Sequence, residues 1–270
     1  MKEQALALAR QAQDPGAALN VLREYIQACV LRSLHESEAF ASLAFVGGMA
    51  LRFLHNIPRF SEDLDFSLVS AAGYDGKAYL AKIKRDLAIA GFDTEVTWNE
   101  KTAVHKAWIR IAGILHDAAL SGHPSQRLSI KLEVDTRPPA GSRCETTVVT
   151  RHLTFLMRHY DMPSLFAGKV HALICRAYPK GRDWYDLVWH RSQVPPTEPN
   201  LPFLQNALDQ THPQAGYHAA QWPRLVLDSL DRHAAAAIAA DARPFLERPQ
   251  DTALLTPENI AALLGRADLR

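Results

Sequence analysis

The run Asp63-Leu64-Asp65-Phe66-Ser67-Leu68 alternates polar and apolar residues without a break. Successive side chains on a strand point to opposite faces, so this pattern specifies a β-strand with one buried face. Leu64 and Phe66 then point to a core, and Asp63 and Asp65 emerge together on the other side. Two like charges side by side raise the cost of ionising each. A hard divalent cation such as Mg²⁺ removes that cost, and carboxylate oxygens suit it. Asp-x-Asp by itself also occurs on ordinary solvated strands, so the neighbouring segments decide how it is read.

Upstream, Leu43–Val46 reads as a short buried strand running into Gly47-Gly48, and Met49–Leu54 as the start of a helix. Paired glycines between a strand and a helix let backbone N–H groups approach a phosphate at the helix N-terminus. Downstream, 127–135 alternates again: Leu128, Ile130, Leu132 and Val134 share one face, and Ser129, Lys131, Glu133 and Asp135 the other. That strand offers a third carboxylate. Alternation does not separate Glu133 from Asp135; the place of Asp135 beside the Pro138-Pro139 turn favours it. A glycine pair, a helix, Asp-x-Asp on a strand and a later acidic strand together form the set that metal-assisted phosphoryl transfer requires. Arg52 and Arg59 lie close enough in sequence to contact a triphosphate, since a guanidinium matches phosphate geometry. Ser61 shares the face of Asp63 if the strand already runs there.

Other segments supply the frame. Residues 17–40 and 76–90 show helical spacing of apolar side chains, and 92–98, 107–114 and 145–150 read as strands. From residue 163 the pattern is helical: Pro163–Tyr178, Trp184–His190, and stretches near 201–209, 222–239 and 256–265. The expectation is an α+β region over 1–160 followed by a helical region over 161–270. On the helix from Pro163, Lys169 and Arg176 lie seven apart and share a polar face. With Lys180, Arg182 and Arg191 they outnumber Asp183 and Asp186, which makes a local basic patch in a chain whose net charge is only +1.

The motifs together resemble the DNA polymerase β-like nucleotidyltransferase superfamily and, within it, the AbiEii/AbiGii (MenT-like) toxin family. The resemblance rests on FVGGMALRFLHNIPRFSEDLDFSL (45–68) and KVHALICRAYPKGRDWYDL (169–187), and it covers roughly residues 17–191. Many superfamily members carry Gly-Ser where this chain has Gly47-Gly48, so here backbone N–H groups would serve in place of a hydroxyl. The resemblance implies a polymerase β-like mixed sheet with flanking helices, followed by a helical region that completes the active site. It implies a catalytic set of Asp63, Asp65, Lys169 and Asp186, with metal held by Asp63, Asp65 and either Asp135 or Glu133. Nucleotide contacts would come from Gly47, Gly48, Arg52, Arg59, Ser61, Lys169, Arg176 and Asp183.

The implied activity moves a nucleoside monophosphate from an NTP to a macromolecule with release of pyrophosphate, using Mg²⁺ or Mn²⁺. The expected acceptor is RNA, in particular tRNA, and the expected restraint is a separately encoded antitoxin of a type IV-like system. Two alternatives keep part of this: transfer to a small molecule such as an antibiotic, or a non-catalytic nucleotide- or RNA-binding module. The intact Asp63, Asp65 and Lys169 argue against the last. There is no Walker A loop, G-x-G-x-x-G, H-E-x-x-H or G-x-S-x-G, which sets aside the chemistries those motifs carry. Three scattered cysteines, no apolar run of spanning length and an N-terminus interrupted by Asp14-Pro15-Gly16 point to a cytoplasmic protein without a membrane partner.

Overall fold

The structure is a computed structural model that describes residues 1–178 and 180–265. The chain divides into two compact units. The first comprises Met1–Asn56, Phe60–Pro138 and Glu145–His159; the second comprises Ile57–Arg59, Pro139–Cys144 and the chain from Tyr160 onward.

The first unit is built on a seven-stranded mixed sheet in the order β3-β4-β5-β2-β1-β7-β6. The strands are β1 (Leu43–Val46), β2 (Asp63–Leu68), β3 (Asp93–Asn99), β4 (Val104–Ala112), β5 (Leu128–Asp135), β6 (Cys144–Val149) and β7 (Phe155–Tyr160). Its helices are α1 (Lys2–Arg10), α2 (Pro15–Glu36), α3 (Gly47–His55), α4 (Gly76–Ile89) and the short α5 (Ile114–Asp117). The mixed sheet with flanking helices is the α+β architecture expected. Strand β2 is central: it runs antiparallel to β1 and parallel to β5. Leu64 and Phe66 are buried with Leu132 and Val134, and the last two line a small cavity with Leu34 of α2 and Leu80 and Ile83 of α4. Burying this face removes several large apolar side chains from water, about 1.5–3 kcal/mol each. That burial fixes the register, because a one-residue slip would put the aspartates into the core.

Helix ends follow local chemistry. Asp14 caps α2 by accepting the Ala17 N–H at 2.9 Å, with Pro15 in the first turn. Asn56, at φ 54°, closes α3 in the left-handed region. Strand β7 and helix α1 add to the elements expected from the sequence.

The second unit contains α6 (Met162–Cys175), α7 (Gly181–Arg191), α8 (Leu201–Thr211), α9 (Trp222–Leu230), α10 (Ala235–Ala242) and α11 (Pro257–Gly265). Asp161 caps α6 by accepting the Ser164 N–H at 2.9 Å, and the helix begins at Met162, one residue ahead of the expected start. The helix stops at Cys175 rather than Tyr178, and Arg176 is already extended. The expected helix 222–239 is two helices, α9 and α10, separated by 231–234. Gly181 opens α7 against α10: a Cβ there would lie 2.0 Å from the Ile238 carbonyl oxygen, and its N–H donates to Asp241 Oδ2 at 2.6 Å. Among the described residues no helix is long and apolar enough to cross a membrane.

Candidate active site

In the first unit, β2 carries Asp63 and Asp65 on one face, half-buried, with Leu64 buried between them. The register sets Lys131 beside Asp63, Glu133 beside Asp65, and Asp135 beside Ser67. Glu133 is therefore the carboxylate level with Asp65, whereas Asp135 lies two residues on and accepts the Arg137 N–H at 2.9 Å. Glu133 is held by Lys131 at 2.9 Å and by Lys106 of β4 at 3.4 Å. Burial would lower the Lys131 pKa, but its bond to Glu133 and the charges of Glu133, Asp63 and Asp65 outweigh that and raise it above the usual lysine range. Alternation had placed Lys131 on this face, although the sequence reading gave it no role; its position opposite Asp63 follows only from the register.

Gly47 follows Val46, the residue paired with Asp65. It has φ +73°, and a Cβ on it would lie 2.5 Å from Asp65 Oδ2. Any other residue at 47 would meet both a strained backbone and the carboxylate. The glycine therefore lets Asp65 come up against the first residue of α3. Gly48 is buried in the first turn of that helix. Ser61 precedes the strand, which begins at Asp63; its carbonyl and that of Glu62 accept from Gln27 Nε2 at 3.4 and 2.9 Å.

Two arginines expected at the triphosphate are committed to buried carboxylates. Arg52 donates from Nε to Glu24 Oε2 at 2.6 Å, and both side chains are 3% exposed. Arg151 and His152 bond the other Glu24 oxygen at 2.8 and 2.7 Å. Burial alone would push the Glu24 carboxyl up; the His152 bond and the charges of Arg52 and Arg151 overcome it and hold the group at about 2. Helical position predicts nothing about a partner 28 residues away, so Glu24 went unnoticed in the sequence.

Arg59 belongs to the second unit, where it grips Asp186 through Nε at 2.8 Å and Nη2 at 2.5 Å. Their side chains are 1% and 0% exposed. Lys169 lies between Asp183 Oδ1 at 2.9 Å and Asp186 Oδ2 at 2.8 Å. Arg176, past the end of α6, bonds Asp183. Lys169 and Arg176 thus meet at one carboxylate, although they do not share one helix face. Burial pushes Asp183 up, but Lys169 and Arg176, with a smaller contribution from Arg59, outweigh it and hold the carboxyl below its usual range.

A divalent cation fits the donor types on β2: two carboxylates on one face, hard oxygen donors at a strand whose neighbour strand adds another. Among the described residues no group of three or more His, Cys, Asp or Glu is gathered as a ready-made metal site. Mg²⁺ commonly needs only one or two carboxylates when substrate phosphates supply further oxygens, so the pair is sufficient on chemical grounds.

Comparisons with known proteins bear on the family and the fold. The family profile described as nucleotidyl transferase AbiEii toxin, Type IV TA system, matches residues 29–264. Among solved structures, MenT4, a nucleotidyltransferase toxin from Mycobacterium tuberculosis H37Rv, superposes with a TM-score of 0.56 at 17% identity, covering 98% of this chain and 89% of that one. A structure from H. pylori described as a nucleotidyltransferase gives a TM-score of 0.53 at 17% identity, covering 93% of this chain and 96% of that one. At such identity the two structures establish the fold. No curated protein matches the chain significantly in sequence. The family match spans most of the chain, including the region beyond 191: the protein belongs to the AbiEii family of nucleotidyl transferase toxins.

Proposed function

We propose that this toxin nucleotidyltransferase moves a nucleoside monophosphate from an NTP to an RNA acceptor, in particular tRNA, in the cytoplasm. We take it to be the toxin of a type IV-like pair, restrained by a separately encoded antitoxin. The observation that carries the chemistry is the pairing of Asp63 and Asp65 on one face of β2, with Gly47 stripped of any side chain where Asp65 approaches α3. Asp63 and Asp65 would hold a divalent ion, Mg²⁺ or Mn²⁺, and Glu133 is the third carboxylate favoured by the register over Asp135. When bound, the ion supplies neutralisation of charge on the phosphoryl oxygens. The Gly47-Gly48 backbone at the N-terminus of α3 receives phosphate through N–H groups. Lys169, its ammonium fixed by Asp183 and Asp186, contributes a preset positive charge to the phosphates. Arg176 and the neighbouring Lys180 and Arg182 give the acceptor's backbone a cationic surface, whose binding should weaken with salt.

The reading is tested by incubating the protein with each radiolabelled NTP, Mg²⁺ and total cellular RNA, alongside a small-molecule acceptor panel. Label in RNA from one preferred NTP is expected. Asp63→Ala and Asp65→Ala should abolish labelling while the protein stays folded, as its melting curve reads, because both side chains lie off the buried face of β2. Label confined to small molecules would overturn the acceptor assignment, and transfer by either variant would overturn the metal assignment.

A further inference from the structure

Arg59 poses a question that its sequence position does not answer. It lies four residues ahead of Asp63, where a phosphate contact would be natural, yet its guanidinium is bonded to Asp186 of the second unit. Both bonds to Asp186 are charge-assisted and parallel, the fork-to-carboxylate geometry that restricts both partners most. The backbone around it is pinned as well. Arg59 forms a β-bridge with Leu246, and the Glu247 N–H donates to the Pro58 carbonyl at 3.1 Å. A residue held in this way at 1% side-chain exposure is poorly placed to reach a ligand, but well placed to hold another residue still.

That other residue is Asp186, whose Oδ2 receives both Arg59 Nη2 and Lys169 Nζ. The Lys169 ammonium spends two of its three N–H donors on Asp183 and Asp186. Lys169 shares Asp186 with Arg59 and Asp183 with Arg176. If Arg59 were removed, Asp186 would lose the two-pronged guanidinium contact that fixes its orientation. Lys169 would then be drawn against a carboxylate with no other cation bonded to it, in a low-dielectric surrounding where such attraction is strong.

We propose that Arg59 is a positioning residue: it fixes Asp186, Asp186 with Asp183 fixes the Lys169 ammonium, and Arg59 itself does not touch the nucleotide. This rests on the reading that Lys169 meets the nucleotide's phosphates. It replaces the direct triphosphate contact that the sequence suggested for Arg59.

The test measures kcat and KM for NTP in Arg59→Met, Arg59→Lys, Lys169→Ala and the Arg59→Met/Lys169→Ala double variant, each with its melting curve. Displacing a preorganised group by about 1 Å costs on the order of 10²-fold in rate. Arg59→Met should therefore lose about that much in kcat, while Arg59→Lys, which keeps the charge without the fork, recovers part of it. In the Lys169→Ala background, Arg59→Met should cost little more, because Arg59 acts only through that ammonium. Should Arg59→Met fail to fold, Arg59→Lys alone and in the Lys169→Ala background carries the same comparison. A full additional loss in the double variant would show that Arg59 acts independently, and would overturn the proposal. So would unchanged kcat in a folded Arg59 variant whose Lys169→Ala counterpart is inactive. If Lys169→Ala itself transfers at the parental rate, the underlying reading of Lys169 fails, and the proposal fails with it; that pattern differs from the two that fault Arg59 alone.

Discussion

Two buried ion-pair clusters among the described residues, one in each unit, differ in what they leave unfinished. In the first unit Glu24 is a single carboxylate surrounded by Arg52, Arg151 and His152. Arg52 also stacks its guanidinium 4.3 Å above the Phe60 ring. That cluster ties α2 to α3 and to the turn between β6 and β7, a task that is complete in the folded chain. In the second unit Asp183 and Asp186 are two carboxylates around a lysine, with Arg59 and Arg176 on the far sides. There the central group is an ammonium rather than a carboxylate. A carboxylate at the centre closes a structure, whereas an ammonium held between carboxylates keeps a positive charge ready for an anion. Both clusters bury an Arg–carboxylate pair, and such a pair alone does not distinguish support from function.

The comparison is broken most forcefully at Glu24. Glu24→Ala leaves Arg52 buried without its carboxylate, which should cost about 3–5 kcal/mol of stability. Chemical denaturation measures this, and residual activity at low temperature should stay near the parental value. A tenfold fall in kcat with little loss of stability would assign Glu24 to the chemistry. Lys169→Ala should behave inversely: turnover falls on the order of 10²–10³-fold while the melting temperature changes little, since Arg59 and Arg176 remain on the two carboxylates. A parental rate there would remove the functional half of the contrast.

Acid sharpens the contrast further. Glu24 has a folded value of about 2 against an ordinary 4.5, so its stabilisation is fully present above about 4.5 and is lost as pH falls toward 2. The contribution is on the order of 3 kcal/mol. Asp183, also depressed, adds in the same direction. Equilibrium unfolding followed from pH 6 to pH 2 should therefore show stability falling mainly below pH 4.5, and Glu24→Gln should flatten that fall. An unchanged profile in Glu24→Gln would deny the cluster its role in acid stability. The smallest effect is expected at Arg176→Ala. Its side chain is 41% exposed, so the pair with Asp183 should contribute no more than about 1 kcal/mol, read from the melting curve. A loss of turnover as large as that of Lys169→Ala would place Arg176 at the phosphates as well.

Much of this molecule is written in local patterns. The alternation of Asp63–Leu68 and Leu128–Asp135 was readable because each strand has one buried face, and the helix carrying Lys169 because its apolar stripe recurs at helical spacing. Strand β7 escaped because its burial alternates while its chemistry does not: Leu156 is exposed and His159 is buried. Register is a property of two segments at once, so which of Glu133 and Asp135 lies level with Asp65 waited for the pairing of β2 with β5. Arg59 shows the limit most plainly. Its bond to Asp186 crosses 127 residues, and proximity to Asp63 in sequence pointed elsewhere.

Neither unit is one continuous length of chain. The second takes Ile57–Arg59 and Pro139–Cys144 from upstream of its main run, and the first of these segments brings the counter-ion of Asp186. Cutting the gene at residue 160 would therefore not yield two independent domains. The downstream piece would have to fold with a buried carboxylate stripped of its guanidinium. For anyone dividing, fusing or circularly permuting this protein, the three residues 57–59 are an inseparable part of the helical half.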